Sequence, residues 1–441
     1  MTGLLRRHRD FRLLFGAEVT GKFGAAFTGV AMPLAAVAVM DASTFQVSLL
    51  SAAIWLPWLL LGLPAGAWVD RLARRPIMLW SVAACLVLYL SIGVAAWLDL
   101  FVFGWLLTVS LLVGAAAVFF QVAYTAYLPS LLAPDDLVEG NAKLHGSASA
   151  AQILGQGGGG FLIQLVGPVS GLLANAGTFA VSLLCLFGIR HREPPRIRQK
   201  PPRGAFAREV RDGLLLAARD PWFRAYALYG AFANLCLMGY QSILVVFLVN
   251  DVHQGSGTVG TLIAIANAGG VAGALMARRI SSRLGTARAT LVFAMVFTLP
   301  VLLVPLAFPG WGVILYPIGG LCASAGVVAV NVLKAGFQQR YCPPELLGRL
   351  SASSFYLNYG VLPVGALLGG ALGTALGVRP AIWLLVAGVP LSGLVLLLSP
   401  MRHHRDLPAH QRGQEQREQQ RDEEGQHVGA QPDGQHTGSV G

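Results

Sequence analysis

Twelve apolar stretches, most of about twenty residues or a little more, follow one another along this chain, and no other feature restricts its possible folds so strongly. They fall at 13–40, 47–69, 76–98, 101–125, 144–166, 168–189, 223–249, 257–278, 286–308, 311–334, 350–375 and 379–399. Each has the length that a helix needs to cross a hydrocarbon core of about 30 Å. Lipid offers the backbone no hydrogen-bond partners, so only helices and closed barrels span it. A barrel would need strands of about ten residues with alternating polarity, whereas these runs are continuous. The expected fold class is therefore all-α: a polytopic membrane protein of twelve transmembrane helices. The abundant Gly and Pro do not oppose this, because both are commoner in membrane helices than in soluble ones. Small residues also let membrane helices approach closely.

A formal net charge of +11 would suit a nucleic-acid surface, but the placement of the charges excludes that partner. With a cytoplasmic N-terminus, loops alternate sides of the membrane. All but two of the 32 Lys and Arg then fall in cytoplasmic segments: the N-terminus, the even-numbered loops, the mid-chain linker and the tail. The exceptions are Lys22, inside the first span, and Arg379, outside. Basic residues resist translocation, so this asymmetry predicts a multi-pass protein of a bacterial-type inner (plasma) membrane with both termini cytoplasmic. The Arg-rich start does not read as a signal peptide. Its apolar run is too long, and a small-x-small cleavage site is missing where one would be expected. The five cysteines form no CxxC pair or metal-ligand spacing and read as small apolar core residues.

Along the chain, residues 1–189 form a six-span bundle, 190–222 a cytoplasmic linker, 223–400 a second six-span bundle and 401–441 a polar tail expected to be disordered. In the linker, Phe206, Val210, Leu214 and Ala218 recur at every fourth position, as in an amphipathic helix lying on the inner membrane face. The two bundles read as copies. Pro134-Asp135-Asp136-Leu137-Val138 returns 209 residues later as Pro343-Pro344-Glu345-Leu346-Leu347, and Gly159-Gly160 returns 210 residues later as Gly369-Gly370. Six-helix pseudo-repeats of this kind build secondary transporters, with a substrate site between the halves.

Between spans two and three lies a compact charged knot, Gly66-Ala67-Trp68-Val69-Asp70-Arg71-Leu72-Ala73-Arg74-Arg75. Gly62 and Gly66 lie four apart on one helix face and would permit close helix contact. Asp70 ends the span and can oppose a neighbouring helix N-terminus. With this knot in the second loop, the chain resembles the major facilitator superfamily, whose loop 2–3 signature has Gly66, Asp70, Arg71, Arg74 and Arg75 in place and Gly where Ala73 stands. The resemblance extends to its drug-exporter branch, which includes macrolide-efflux and enterobactin-exporter-like proteins. It rests on Asp10-Phe11-Arg12-Leu13-Leu14, Leu137-Val138-Glu139-Gly140-Asn141-Ala142, Arg219-Asp220-Pro221, Gly348-Arg349 and Pro363-x-Gly365.

The resemblance implies that Asp70 latches the halves in the outward-facing state. The alternative is that the arginines only hold the loop inside. It also implies that spans one, four, seven and ten line the cavity, which makes Gln121, Asn234, Gln241, Asn331 and, in span eleven, Asn358 candidates for contact with substrate. The branch often carries Gly-Asp in span one, where this chain has Gly24-Ala25. The acid in that span here is Glu18, with Lys22 one turn on. Either Glu18 is a proton site tuned by Lys22, or the two form a structural ion pair. Asp135-Asp136 reads as a helix N-cap rather than as part of an acidic metal cluster.

The chain has no phosphate-cradling GxxxxGK[ST] loop, metal-ligand spacing or nucleophile motif, so neither a cofactor nor an enzyme activity is expected. The expected function is proton-coupled efflux of an amphipathic, drug-like or secondary-metabolite small molecule by a monomer in the lipid bilayer. A siderophore exporter or other solute or lipid carrier is the alternative on the same fold. A non-transporting membrane enzyme or sensor is the rival of a different class.

Overall fold

The computed structural model describes residues 3–69, 72–191, 215, 218–342 and 344–408. Asp70, Arg71, most of the linker and the tail from 409 onward lie outside the described residues, and with them the expected linker helix and the disorder of the tail. After a short helix α1 (Gly3–Arg7) come the six spans of the first half: α2 (Arg9–Met40), α3 (Thr44–Val69), α4 (Arg74–Trp97), α5 (Phe103–Leu131), α6 (Pro134–Val166) and α7 (Pro168–Gly188). The second half has α8 (Pro221–Val246), α9 (Ser256–Leu284), α10 (Thr286–Met295), α11 (Leu315–Tyr341), α12 (Pro344–Leu376) and α13 (Val378–Leu397).

Among the described residues, eleven spans are long and apolar enough to cross a membrane. The twelfth span, α6, has the length but carries Glu139, Lys143, His145, Gln152, Gln156 and Gln164. It packs between α2 and α9, and turns Gln152 and Gln156 to a cavity between the halves and Gln164 to Gly257 of α9.

The six-helix repeat is visible in the packing. In the first half α2 packs on α6 and α7, α3 on α5, and α4 on α5 and α7. In the second half α8 packs on α12 and α13, and α9 on α11, while the ninth span packs on α11 and α13. The paired glycines explain how the repeat works. A Cβ on Gly159 would come 2.9 Å from Phe27 on α2, and one on Gly369 would come 2.1 Å from the Gly239 carbonyl on α8. These first glycines seat a helix inside its own half. Their neighbours face the other half: a Cβ on Gly160 would come 2.7 Å from Gly260 Cα, and one on Gly370 2.7 Å from Ser48 Cβ. Gly167 and Gly377 hold positive φ of 83° and 90° at one-residue joints that turn α6 into α7 and α12 into α13, a conformation that costs glycine little.

Polar residues close the ends of the bundle. Asp10 Oδ2 accepts the His191 N–H at 2.8 Å and so ties the start of α2 to the chain beyond α7. Asp220 caps α8, its Oδ1 accepting from the Trp222 and Phe223 N–H groups at 2.8 and 3.0 Å. Tyr341 donates to its other oxygen at 2.9 Å. Asp135 and Asp136 do not cap α6. Ala133 holds the N-cap position, and the two acids occupy the first turn, where negative charge opposes the positive end of the helix dipole. Asp136 also stands 3.4 Å from His8. Next to it, Lys143 bonds Glu139.

The ninth span departs from a single helix. After Met295 the chain turns and continues as a 3₁₀ helix, Leu299–Leu306. Pro300 and Pro305 lack the N–H that an α-helix needs, and the Thr298 hydroxyl bonds back to the Ala294 carbonyl at 2.7 Å.

The two halves meet along α3–α12 and α6–α9. The named contacts cluster toward the end opposite the termini, through Thr44, Ser48, Gly370 and Gly373 on one seam and Gly160, Gln164, Gly257 and Gly260 on the other. Toward the termini end, a Cβ on Gly62, Gly66 or Gly146 would meet nothing within 4 Å. Gly62 and Gly66 therefore make no close helix contact in this state. Among the described residues, nothing from the other half comes close to these glycines.

Candidate functional site

Among the described residues, the spans enclose two cavities of note. The larger, of about 520 Å³, is walled by both halves. α2 presents Glu18, Lys22, Ala25 and Gly29 to it, spaced as successive turns of one helix face. Glu18 is only 4% exposed. The Lys22 ammonium stands 3.5 Å from the Glu18 carboxylate and donates to Gln121 Oε1 on α5 at 3.1 Å. Among the described residues, Tyr124 and His145 are further titratable groups near Glu18. Ala25, where the resemblance would place an aspartate, faces the same cavity two turns further along. Next to it, Gly24 lies against Asn175, whose amide nitrogen donates to the Gly24 carbonyl at 3.2 Å and the Thr28 hydroxyl at 2.7 Å. That amide holds α7 on α2 and is not in the cavity wall.

Gln241 of α8 is exposed to this cavity from the other half. Gln156 and Asn267 join the halves across it, the Asn267 amide nitrogen donating to Gln156 Oε1 at 2.7 Å. Trp55, Trp58 and Phe120 supply apolar wall. Phe119 instead stacks on the exposed Trp68 at 5.8 Å, away from the cavity.

The second cavity, of about 440 Å³, is lined by α8, α11 and α12. Asn234, Asn331 and Asn358 all border it, and the Asn234 amide nitrogen donates to Asn358 Oδ1 at 3.0 Å. Gly230 makes room for that pair, since a Cβ there would come 2.5 Å from Asn358 Oδ1. Tyr359 also borders this cavity, and its ring packs 5.8 Å from Trp55 and 5.7 Å from Trp58, which line the larger one. An aromatic cluster drawn from both halves thus stands between the two spaces.

Lys334 is the residue that sequence reasoning missed. Counting charges by loop places it with the cytoplasmic basic residues. The structure puts it in the wall of the second cavity, half-buried and seven residues before the end of α11. The signal was its position as the last residue of an apolar run, one turn after Asn331 on the same helix face. Of the charged knot, Arg74 donates to the Ala126 carbonyl near the end of α5. Arg75 donates to the Phe187 carbonyl at 3.0 Å and the Leu186 carbonyl at 3.4 Å at the end of α7. Arg75 thus satisfies carbonyls at the end of α7 within its own half. In the second-half copy of the knot, Ala277 is fully buried where Asp70 would map, and Gly273 is pressed on Ala325 of α11.

The profile described as Major Facilitator Superfamily matches residues 14–361. The chain belongs to the major facilitator superfamily. Among its relatives, the multidrug efflux pump Tap of Mycolicibacterium fortuitum is 29% identical over 414 residues, covering 90% of this chain and 97% of that one. The multidrug efflux pump Tap of Mycobacterium tuberculosis is 25% identical over 385 residues, covering 83% and 88%. Among solved structures, a bacterial homologue of the iron transporter ferroportin in its inward-facing state superposes with a TM-score of 0.70 at 19% identity, covering 90% of this chain and 99% of that one. The nucleoside transporter NupG superposes with a TM-score of 0.68 at 11% identity, covering 90% and 98%. These likenesses fix the major facilitator fold. The chain is a membrane transporter and not an enzyme.

Proposed function

We propose that this transporter is a secondary active exporter of amphipathic, drug-like or secondary-metabolite molecules, driven by proton entry. One observation carries the reading: a buried carboxylate, Glu18, is set in the wall of a cavity shared by both halves and paired with a lysine that also touches the wall. Ionisable groups at membrane depth are costly and mark ion or substrate paths. A carboxylate that loses its lysine partner when protonated couples proton uptake to rearrangement of the wall around Lys22 and Gln121. The aromatic and amide lining of the cavity suits a large amphipathic guest. The relatives named as multidrug efflux pumps, similar over nearly the whole chain, supply the substrate class.

In this reading Gln121 and Gln241 contact substrate in the shared cavity, and Asn234, Asn331 and Asn358 in the second one. The basic asymmetry orients the chain with both termini in the cytoplasm, so the open end faces inward. Asp70 then latches the knot when that end closes, which agrees with the empty space found around Gly66. All twelve spans come from one chain, and a monomer suffices.

The test is transport in inside-out membrane vesicles carrying the full chain, with a macrolide, a tetracycline and a lipophilic acid as substrates. An acid-inside gradient should drive accumulation of at least one of them, and a protonophore should abolish it. Accumulation of none, with or without the gradient, overturns the exporter reading.

A further inference from the structure

Among the described residues that line the two cavities, Lys334 is the charge without a counter-charge. In the larger space Lys22 is neutralised by Glu18 and bonded to Gln121. Lys334 has no hydrogen-bond or ion-pair partner among the described residues, and no carboxylate among them lines its cavity. The acid at this end of α8, Asp220, is already occupied by two backbone N–H groups and the Tyr341 hydroxyl. By helix rise, Lys334 lies about 10 Å inside the end of α11. Holding a half-buried ammonium at membrane depth without a counter-charge is costly. A fold that keeps it there gains when an anion enters.

The surroundings fit an anion as well. Asn331, one turn away on the same face, and the hydroxyl of Tyr229 add donors, and Asn234 already occupies the carbonyl oxygen of Asn358. Tyr359 forms the boundary toward Trp55 and Trp58. A guest whose acid sat at Lys334 would lay its apolar body against these rings.

We propose that the second-half cavity is an acid-recognition site, in which Lys334 binds the carboxylate or other anionic group of an amphipathic organic anion. This deepens, and rests on, the exporter reading by naming the charge of its substrate.

The test is equilibrium binding to the purified full chain in detergent, using 1-pyrenebutyrate and its neutral counterpart 1-pyrenebutanol as fluorescent probes. A charge-assisted contact at Lys334 should favour the acid by about ten-fold. Lys334→Gln should remove that preference while leaving pyrenebutanol binding unchanged, and Lys334→Arg should retain it. Equal binding of both probes by the wild type, or an unchanged preference in Lys334→Gln, overturns the proposal. If Lys334→Gln is not monodisperse, the wild-type comparison with Lys334→Arg decides alone. Replacing gluconate with chloride at fixed ionic strength separates the sources of the anion. No effect on pyrenebutyrate binding supports an organic acid. Competitive displacement assigns the site to a small inorganic ion and overturns the substrate reading. Because binding needs neither a gradient nor turnover, its failure leaves the vesicle test of export untouched, and failure of export leaves this result standing.

Discussion

At the scale of single residues, the chemistry concentrates on α2, where Glu18, Lys22 and Ala25 share one face. An acid at position 25 would meet the same cavity that Glu18 meets two turns nearer the termini. If Glu18 carries the coupling proton, Glu18→Gln keeps the shape of the side chain and its hydrogen bonding to Lys22 but removes the titration. Gradient-driven accumulation in vesicles should then fall to the level seen with a protonophore, while equilibrium substrate binding persists and loses its pH dependence. A Glu18→Gln transporter that still responds fully to the gradient would assign the pair to structure alone. Residue identity by itself left both readings open, because an i,i+4 acid–base pair looks the same in either role. What the fold adds is that both side chains line a cavity. Lys334 taught the converse lesson. Its membership of a basic cluster in sequence concealed a position in the cavity wall, since a charge at the end of an apolar run can point along the membrane surface or back into the bundle.

At the scale of elements, the apolar runs located every span, because length and continuity are properties that the bilayer imposes directly. What they could not show was which glycines touch a neighbour. Gly66 and Gly273 are counterparts in the two halves, yet Gly273 is pressed on Ala325 while Gly66 faces open space. The break in the ninth span escaped for a similar reason: Pro300 and Pro305 are tolerated in membrane helices, and hydropathy does not register the loss of an N–H donor. The doubled glycines of α6 and α12 permit a sharper test. A Cβ on Gly369 would strike the Gly239 backbone within one half, which cannot yield by separating, so Gly369→Val should destabilise the protein by about 1–3 kcal/mol, seen as a lower unfolding temperature in detergent. A Cβ on Gly160 would strike Gly260 across the interface, where the halves can part. Gly160→Val should keep its unfolding temperature close to the wild type and lose transport, because the end opposite the termini no longer closes. Equal destabilisation by both substitutions would mean that the interface is as rigid as the core of a half.

At the scale of the whole molecule, the two seams are zipped at one end, and among the described residues the halves make no close contact at Gly62, Gly66 and Gly146 toward the other. A shared cavity open toward one end is one member of a pair of states if the halves rock about it. Backbone-level contact through glycines is well suited to such an end, since it depends on close approach rather than on specific polar pairs, and it opens without stranding charges. Ser48 and Gly370 stand face to face across the α3–α12 seam, near enough for a disulfide between cysteines placed there after a small shift of the backbone. In a background without the five native cysteines, Ser48→Cys with Gly370→Cys should cross-link on mild oxidation, and transport should stop and return on reduction. A third cysteine at Gly66 reports the other end. In the cross-linked protein it should react freely with a membrane-impermeant maleimide. After reduction, with substrate and a proton gradient present, its reaction should slow as that end closes for part of each cycle. Full transport by the cross-linked protein, or labelling at position 66 that ignores the cross-link, would show that the zipped end does not need to open and would reject rocking between the halves.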